Sequence, residues 1–242
     1  TRSKPVDFTS INDDNHGGDT NHDGDTNIPA AGDWGSINLN GTQNSQFTYC
    51  KFLYGGSNTG NPSTVDVSSE ACAKFNNCTF AYNSGGYLNN TYYIGALNAA
   101  NADKNTTISE CEFYSNKYPI TINASMSLDN SNTFSHNTYA NTYNGLFVYG
   151  DFVKTDISWL EDEVPFVITS TNLEIARGNS LSLGNNTVLK FSEGSTLTIQ
   201  SGEDYLINHD GQNVFFTSIK DDEHKGDTNG DGNSTAPKEG DW

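Results

Sequence analysis

Residues 8–34 read FTSINDDNHGGDTNHDGDTNIPAAGDW, and residues 216–242 read FTSIKDDEHKGDTNGDGNSTAPKEGDW. The two stretches align without a gap at a constant offset of 208 residues, from Phe8 and Phe216 to Trp34 and Trp242. A chain that carries one motif twice in this way looks like one period of a longer repeat, or like a unit that continues into its neighbour. The duplication therefore indicates a structural repeat before it indicates an enzyme.

Each copy contains the pattern D-x-N-x-D-G, which supplies oxygen ligands at alternating positions around a turn that glycine permits, as in the first half of a calcium loop. The predicted ligands are three alternating side chains and one later residue that contributes a backbone carbonyl: Asp19, Asn21, Asp23 and Asp25 in the first copy, and Asp227, Asn229, Asp231 and Asn233 in the second. The alternative, a solvated acidic turn, is disfavoured because the spacing occurs twice.

Neither copy can complete an EF-hand, because the position of its bidentate glutamate holds Ala30 or Lys238. The missing ligand must come from elsewhere in the motif. The candidates are the paired acids before each loop, with one acid behind it: Asp13, Asp14 and Asp33, and Asp221, Asp222 and Asp241. His16 and His224 are expected to shape the loops through hydrogen bonds, since imidazole is a poor calcium ligand.

Acidic residues are concentrated in these motifs, which hold thirteen of the thirty in the chain. Local acid density of this kind favours calcium ligation over a diffuse solubility device. The net charge of −18 argues against nucleic acid and anionic membranes as partners, because no basic patch is present to engage phosphates. No apolar run is long enough for a transmembrane helix and no signal peptide is present, so we expect a mature protein or an excised segment without membrane insertion.

A second, weaker repeat predicts the fold. Four short stretches share a phenylalanine at their fourth position, and the first three share a cysteine two residues earlier: YCKFLYG (49–55), NCTFAYN (77–83), ECEFYSN (110–116) and SNTFSHN (131–137). Residues two apart on a strand share a face, so stacked coils should place Phe52, Phe80, Phe113 and Phe134 on one another. Cys50, Cys78 and Cys111 should form a second stack, with Asn132 in the fourth coil.

Each of these stretches closes on a small or amide residue, Gly55, Asn83, Asn116 or Asn137, which suits a tight corner in the left-handed conformation. An asparagine there could also hydrogen-bond its equivalent in the next coil. Because aligned cysteines lie parallel rather than facing one another, we expect buried free thiols rather than disulfides, although four cysteines in an extracellular chain would usually suggest two disulfides.

Residues 164–219 alternate Val, Ile, Leu and Phe with polar residues and are broken by Gly178, Gly184, Gly194 and Gly202, which predicts short strands at the same spacing. Together these patterns predict an all-β chain: a single right-handed parallel β-helix domain over residues 1–242, with long calcium-binding loops at both ends. Trp34 and Trp242 are expected to pack over the loop bases.

The chain resembles the right-handed parallel β-helix (pectate-lyase-like) modules of large secreted and cell-surface proteins of bacteria and archaea. The matching stretches are PFVIT…LEIARGNSLSLGNNTVLKF, FTSIKDDEHKGDTNGDG, GDWGSI (32–37) and YCKFLYGG (49–56). The resemblance implies the fold and a secreted or cell-surface location. It leaves the activity open, since one scaffold can carry lyases, hydrolases, adhesins and passive stalks.

The sequence favours a calcium-bound structural or adhesive module whose partners are further copies of itself, end to end, with surface glycans as a possible ligand. The first alternative is a calcium-dependent polysaccharide lyase or glycoside hydrolase. It is disfavoured because only Arg2 and Arg177 are present and the body's acids are scattered, apart from Glu161-Asp162-Glu163, which we interpret as a corner. The second is a carbohydrate-binding module using exposed tyrosines such as Tyr87, Tyr92 and Tyr93.

Overall fold

The computed structural model describes residues 4–41, 44–57, 59–68, 70–88, 92–169, 172–200, 206–208 and 213–242, so Arg2 and Gly202 lie outside the described residues. Within them the backbone forms strands, one 3-10 turn at Gly24–Thr26 and no α-helix. The strands are β1 (Val6–Phe8), β2 (Ile37–Leu39), β3 (Asn44–Thr48), β4 (Cys50–Leu53), β5 (Val65–Val67), β6 (Cys72–Asn76), β7 (Thr79–Ala81), β8 (Gly86–Leu88), β9 (Tyr92–Ile94), β10 (Leu97–Ala99), β11 (Thr107–Ser109), β12 (Glu112–Tyr114), β13 (Ile120–Asn123), β14 (Ser135–His136), β15 (Tyr139–Ala140), β16 (Leu146–Tyr149), β17 (Phe152–Val153), β18 (Ile157–Trp159), β19 (Phe166–Ile168), β20 (Asn172–Ile175), β21 (Leu181–Leu183), β22 (Val188–Phe191), β23 (Thr196–Ile199), β24 (Leu206–Asn208) and β25 (Phe215–Ser218).

Most strands pair in parallel and return to the same sheets in a fixed order. Eight of them form the long sheet, in the order β2-β5-β10-β13-β16-β19-β22-β25. In the N-terminal half, β1-β4-β7-β12 form the phenylalanine sheet and β3-β6-β11 form a side sheet; in the C-terminal half, β17-β20-β23 and β18-β21-β24 form two further sheets. We call one circuit from the long sheet back to itself a coil. This all-β, mostly parallel arrangement is compatible with the predicted parallel β-helix.

The two halves meet where the flanking sheets are exchanged. The phenylalanine sheet and the side sheet end at β12 and β11, and their successors begin at β17 and β18. Between them lie isolated parallel bridges, Glu112 with Thr133 and Leu128 with Trp159. Among the described strands, the long sheet alone continues from one half to the other.

A column of stacked phenylalanines fills the N-terminal core, as the sequence predicts. The rings of Phe52, Phe80, Phe113 and Phe134 follow one another with neighbouring centroids 4.7 to 5.3 Å apart and are fully buried. Phe8 extends the column at the other end, 5.0 Å from Phe52. Each ring both removes apolar area from water and stacks on its neighbour, so the column stabilises the coil order.

The cysteine stack is also confirmed. The strand register places Cys50, Cys78 and Cys111 side by side in consecutive coils, where all three are buried free thiols. Burial raises the pKa of Cys50. The hydrogen bond between the Cys78 and Cys111 thiols lowers the pKa of Cys78 to about 7 and, together with burial, raises the pKa of Cys111. Asn132 continues the column, because its Oδ1 accepts a 3.0 Å hydrogen bond from the backbone N–H of Cys111.

The asparagine ladder differs from the prediction at its last member. Asn83 and Asn116 are buried, and the Nδ2 of Asn83 donates to Oδ1 of Asn116 at 2.9 Å. The next acceptor is Asn141, 2.9 Å from Nδ2 of Asn116, and not the predicted Asn137. Asn137 turns the β14–β15 hairpin with φ of 54°, and this inserted hairpin moves the ladder position along the chain.

The corner conformation also falls one residue earlier than predicted. The left-handed residues of these corners are Tyr54, Tyr82 and Ser115, with φ of 61°, 58° and 53°. Each turns the strand out of its sheet, which leaves the following residue pointing inward. That residue is Gly55, Asn83 or Asn116, and an inward asparagine is stable because its amide satisfies buried backbone groups in the neighbouring coil.

Candidate metal sites

Three carboxylates converge in the first acidic loop, which we define as residues 10–34. Asp14, Asp19 and Asp23 each place an oxygen within 4.8 Å of the others. The Asp19 carboxylate is fixed by the backbone N–H groups of Asp23 and Gly24, both 3.1 Å away. Asn21 lies between them and donates from Nδ2 to Oδ2 of Asp23 at 3.0 Å. The loop therefore gathers three carboxylates beside one amide side chain at a tight turn.

The second acidic loop, residues 218–242, has the same internal geometry. Asp222, Asp227 and Asp231 form the matching cluster within 4.8 Å. The Asp227 carboxylate accepts backbone hydrogen bonds from Asp231 at 3.2 Å and Gly232 at 2.8 Å. Asn229 donates to Oδ2 of Asp231 at 2.9 Å, as Asn21 does to Asp23. Two segments far apart in the chain thus build the same arrangement from the same residues.

Both clusters contain oxygen atoms that a cation would satisfy. Oδ1 of Asp23 and Oδ1 of Asp222 are removed from solvent and accept no hydrogen bond. Burial, with the neighbouring Asp227 carboxylate, raises the pKa of Asp222 above its usual range. Three carboxylates at this separation repel one another, and a bound cation would remove that repulsion. The residues present fit a hard cation that prefers oxygen ligands.

The two acids of the pair that precedes each loop make different contacts. Asp14 and Asp222 join the clusters. Asp13 and Asp221 instead turn toward the imidazoles of His16 and His224, whose Nδ1 atoms lie 2.7 Å from their Oδ2 atoms. The sequence predicts both members of each pair as ligands, whereas in the structure the member three residues before a histidine contacts that histidine.

Asp33 and Asp241 close the bases of the loops. Asp33 accepts hydrogen bonds from Oγ of Ser10 at 2.6 Å and from the backbone of Ala30 at 3.0 Å. Asp241 accepts from Nζ of Lys220 at 2.7 Å. Of the other predicted ligands, the side chain of Asp25 lies outside the described residues, and Asn233 lies exposed after the second cluster.

The two loops pack on different parts of the molecule. In the first, the indole Nε1 of Trp34 donates to the carbonyl of Leu53 at 2.7 Å, so the loop lies against the end of the phenylalanine sheet. The second folds back over the outer face of the long sheet. There Lys190, fully buried, donates from Nζ to the carbonyl of Gly226 at 2.6 Å and to Oγ1 of Thr228 at 3.0 Å. Burial lowers the pKa of Lys190 to about 8, against the raising effect of the nearby aspartates.

The tyrosines that the sequence offers for glycan binding pack against neighbouring aromatic rings. Tyr93 packs between Tyr87 and Phe147, with both centroid distances 4.6 Å, and Tyr92 packs on Tyr149 at 4.6 Å. These rings tilt against one another and do not form a flat strip.

The acidic stretch 161–163 forms a corner, as interpreted from the sequence. Glu161 is buried and accepts the backbone N–H groups of Asp162 and Glu163 at 3.0 and 2.7 Å. Both carboxylate oxygens of Glu163 are also engaged, with the backbone N–H of Phe134 at 3.0 Å and the hydroxyl of Ser135 at 2.7 Å. The stretch thus ties the N-terminal core to the following coil.

Comparisons with protein-family models, with curated proteins and with solved structures find no match to this chain. In the part of the chain that the structure describes, no helix is long and apolar enough to cross a membrane.

Proposed function

We propose that this chain is a calcium-stabilised structural or adhesive module of a secreted or cell-surface protein, built as a right-handed parallel β-helix. One observation carries the proposal: two copies of an acidic motif, packed on different sheets, form the same three-carboxylate cluster. If packing against the body imposed the cluster, the two copies would differ. Their agreement favours a loop whose residues are arranged for a ligand.

The β-helix is supported by the parallel order of the strands and by the stacked Phe, Cys and Asn columns. Such columns arise when equivalent residues of successive coils lie on one another. The right hand follows from the general preference of parallel crossover connections. This is the architecture that the pectate-lyase-like resemblance implies.

Calcium is favoured over softer metals by the donor set. Each cluster offers carboxylate oxygens and a neighbouring amide, whereas the histidines nearby are occupied by Asp13 and Asp221. Zinc and copper would be expected to use imidazole or thiolate ligands. Calcium also accepts six to eight oxygens in flexible geometry, so backbone carbonyls and water can complete each shell.

The extracellular setting is supported by the kind of site. An incomplete EF-hand without its bidentate glutamate is expected to bind calcium weakly, in the range of extracellular modules, about 10⁻⁴ to 10⁻³ M. Calcium at such concentrations is found outside cells. There the ions would neutralise the densest parts of a chain with a net charge of −18.

Isothermal titration calorimetry with calcium tests the proposal directly. We expect two sites in the native chain and one site in each of the variants Asp19→Asn and Asp227→Asn, which keep the side-chain shape but remove one carboxylate. Glu223→Gln is the matched control, because Glu223 is an exposed acid of the second loop outside its cluster. This variant should retain both sites.

Absence of calcium binding, or equal loss of binding in Glu223→Gln, would overturn the metal assignment. The structural role has its own test, in which the same protein is incubated with acidic and neutral polysaccharides in calcium. Release of unsaturated or reducing products would replace the structural role with the lyase or hydrolase alternative.

A further inference from the structure

The two copies of the repeated motif occupy different sheets, although their sequences align. Val6–Phe8 is β1 of the phenylalanine sheet, and the equivalent residues 214–216 enter β25 of the long sheet. Each strand is paired on one side: β1 pairs with β4, which follows it in the chain, and β25 pairs with β22, which precedes it.

A strand inside a sheet has two neighbouring strands, and each copy of the motif shows one of them. The first copy shows the forward half, where Phe8 pairs with Phe52 and stacks on its ring. The second copy shows the backward half, where Phe216, equivalent to Phe8, pairs with Leu189. The two halves are compatible with one strand, because an inner strand of these parallel sheets pairs on both edges, as β22 does with β19 and β25.

We propose that β25 is the junction strand to a second copy of this unit and that it pairs there as β1 does. Val214, Phe215 and Phe216 then pair with Cys50, Lys51 and Phe52 of the second unit. The long sheet of one unit thereby continues into the phenylalanine sheet of the next. The inference deepens the proposed structural role by naming its partner and geometry, and it rests on the repeat architecture rather than on calcium.

The junction turns each unit by one face relative to the one before. In the first copy, β1 lies on β4 in the phenylalanine sheet and β2 lies on β5 in the long sheet, so the chain advances one face through the acidic loop. After β25, the same advance places the second unit's β2 on the C-terminal sheet that contains β23. Successive long sheets therefore face in different directions along an array.

Apolar groups left exposed beside β25 match groups that are partly buried in the first copy. Phe216 is 38% exposed and Trp242 is 49% exposed. Trp242 lies on Phe191, with centroids 4.4 Å apart, whereas its equivalent Trp34 reaches forward to Leu53 and Gly55. A side chain at Gly55 would place its Cβ 2.9 Å from the Trp34 ring, so that glycine admits the indole. In the junction Trp242 would take the same position over the second unit.

Separate molecules can form the same junction only by strand exchange. In each molecule β1 already occupies the free edge of β4. A neighbour's β25 must displace β1 to pair there, and this exchange is unnecessary when one chain supplies both roles. The test is therefore made on the full chain followed by a second copy of residues 35–242, so that residues 209–242 serve both units.

Disulfide trapping distinguishes the turned junction from an unturned one. In the turned junction Phe215 of the first unit lies opposite Lys51 of the second. In an unturned stack the long sheets would continue directly, and Thr217, which pairs with Lys190, would lie opposite Asn38. One variant carries Phe215→Cys with Lys51→Cys in the second unit. The control carries Thr217→Cys with Asn38→Cys, and both have Cys50→Ala in the second unit.

We expect the first pair to oxidise about tenfold faster than the control pair, because paired strands hold two thiols at a high effective concentration. Faster oxidation of the control pair, or no difference between the pairs, would overturn the proposal. Hydrogen exchange of the unsubstituted two-unit chain gives a second reading. The amides of residues 214–218 should exchange more slowly than in the single unit, and unchanged protection would also contradict the junction.

Both measurements are repeated with calcium and with a chelator. Trapping of the first pair under both conditions supports the junction even if calorimetry finds no calcium site. Two calcium sites without trapping would leave the metal proposal intact and reject the junction.

Discussion

The two acidic loops agree inside and differ outside. Their carboxylate clusters, their Asn-to-Asp hydrogen bonds and their His-to-Asp contacts coincide. Their supports do not: the first loop lies against Leu53 and Tyr54, and the second lies over the buried Lys190. The difference shows that the motif encodes its own conformation locally and that docking is added by whatever surface it meets.

Of the changes predicted for the two loops, calcium removal should lower the free energy of unfolding most. At about 100 times its dissociation constant, calcium stabilises a protein by about 2.7 kcal/mol per site, so two independent sites should contribute about 5 kcal/mol. Urea unfolding with calcium and with EDTA measures the difference. If the loops are equivalent, Asp19→Asn and Asp227→Asn should each remove about half of it. A loss confined to one variant would break the equivalence.

A buried acid outside both loops shows what a carboxylate costs without a cation. Burial raises the pKa of Glu161 to about 7, with Glu163 adding repulsion and backbone hydrogen bonds opposing it. The unfolded chain loses this proton at lower pH than the folded chain. The contribution of Glu161 to the free energy of unfolding is therefore constant below the unfolded pKa and falls as pH rises from about 4.5 to 7. The fall totals about 3 kcal/mol.

Unfolding measured across that pH range in the native protein and in Glu161→Gln isolates this term, because every other group titrates in both. The native protein should lose about 3 kcal/mol relative to the variant. A constant difference between them would show that folding does not raise the pKa of Glu161.

Lys190→Met should loosen the second acidic loop and leave the first unchanged, because Lys190 contacts only the second. The substitution removes the two hydrogen bonds to Gly226 and Thr228 and leaves the buried Thr228 hydroxyl without its lysine donor, at a cost of about 2 kcal/mol. Hydrogen exchange should accelerate in residues 226–232 and stay unchanged in residues 18–24. Lys220→Met is the matched control, since Lys220 contacts the base of the same loop at Asp241. Acceleration in both loops would contradict local autonomy.

The smallest expected effect concerns the two histidines. His16→Ala and His224→Ala each remove a hydrogen bond to a buried aspartate, worth about 1 kcal/mol. His224 also packs on Phe215 at 4.2 Å, where the first copy has Asp7, so its loss should cost about 0.5 kcal/mol more. Phe215→Asp reproduces the first copy and should make the two costs equal. A difference that persists in that background would reveal a contact beyond the motif.

The parts of the fold that could be predicted are those with regular spacing. Phe52, Phe80 and Phe113 recur at the same place in each coil, so their stack follows from alignment alone. The prediction that Asn137 continues the asparagine ladder was wrong. The β14–β15 hairpin adds residues to this coil, and alignment of a short motif cannot place them. Contacts between distant residues were beyond prediction: Lys190 and Gly226 meet across 36 residues, and no local pattern in the sequence records that approach.

The same limit applies to the candidate metal sites. D-x-N-x-D-G identified the loops because ligand spacing is a local property. The different contacts of Asp13 and Asp14 depend on the direction of each side chain: Asp13 lies against His16, and Asp14 joins the carboxylate cluster.

The exchange of flanking sheets in mid-chain has a mechanical consequence. Tension along the stacking direction is carried from coil to coil by hydrogen bonds between neighbouring strands, in series, so the interval with the fewest such bonds yields first. Across residues 124–160 the long sheet carries that load with isolated bridges and a few side-chain hydrogen bonds, such as those of Glu163 with Phe134 and Ser135, where two further sheets share it elsewhere. Under stretching, the module would therefore separate first in its middle and leave two folded halves, each with one acidic loop. The length of the module would then increase in one discrete step.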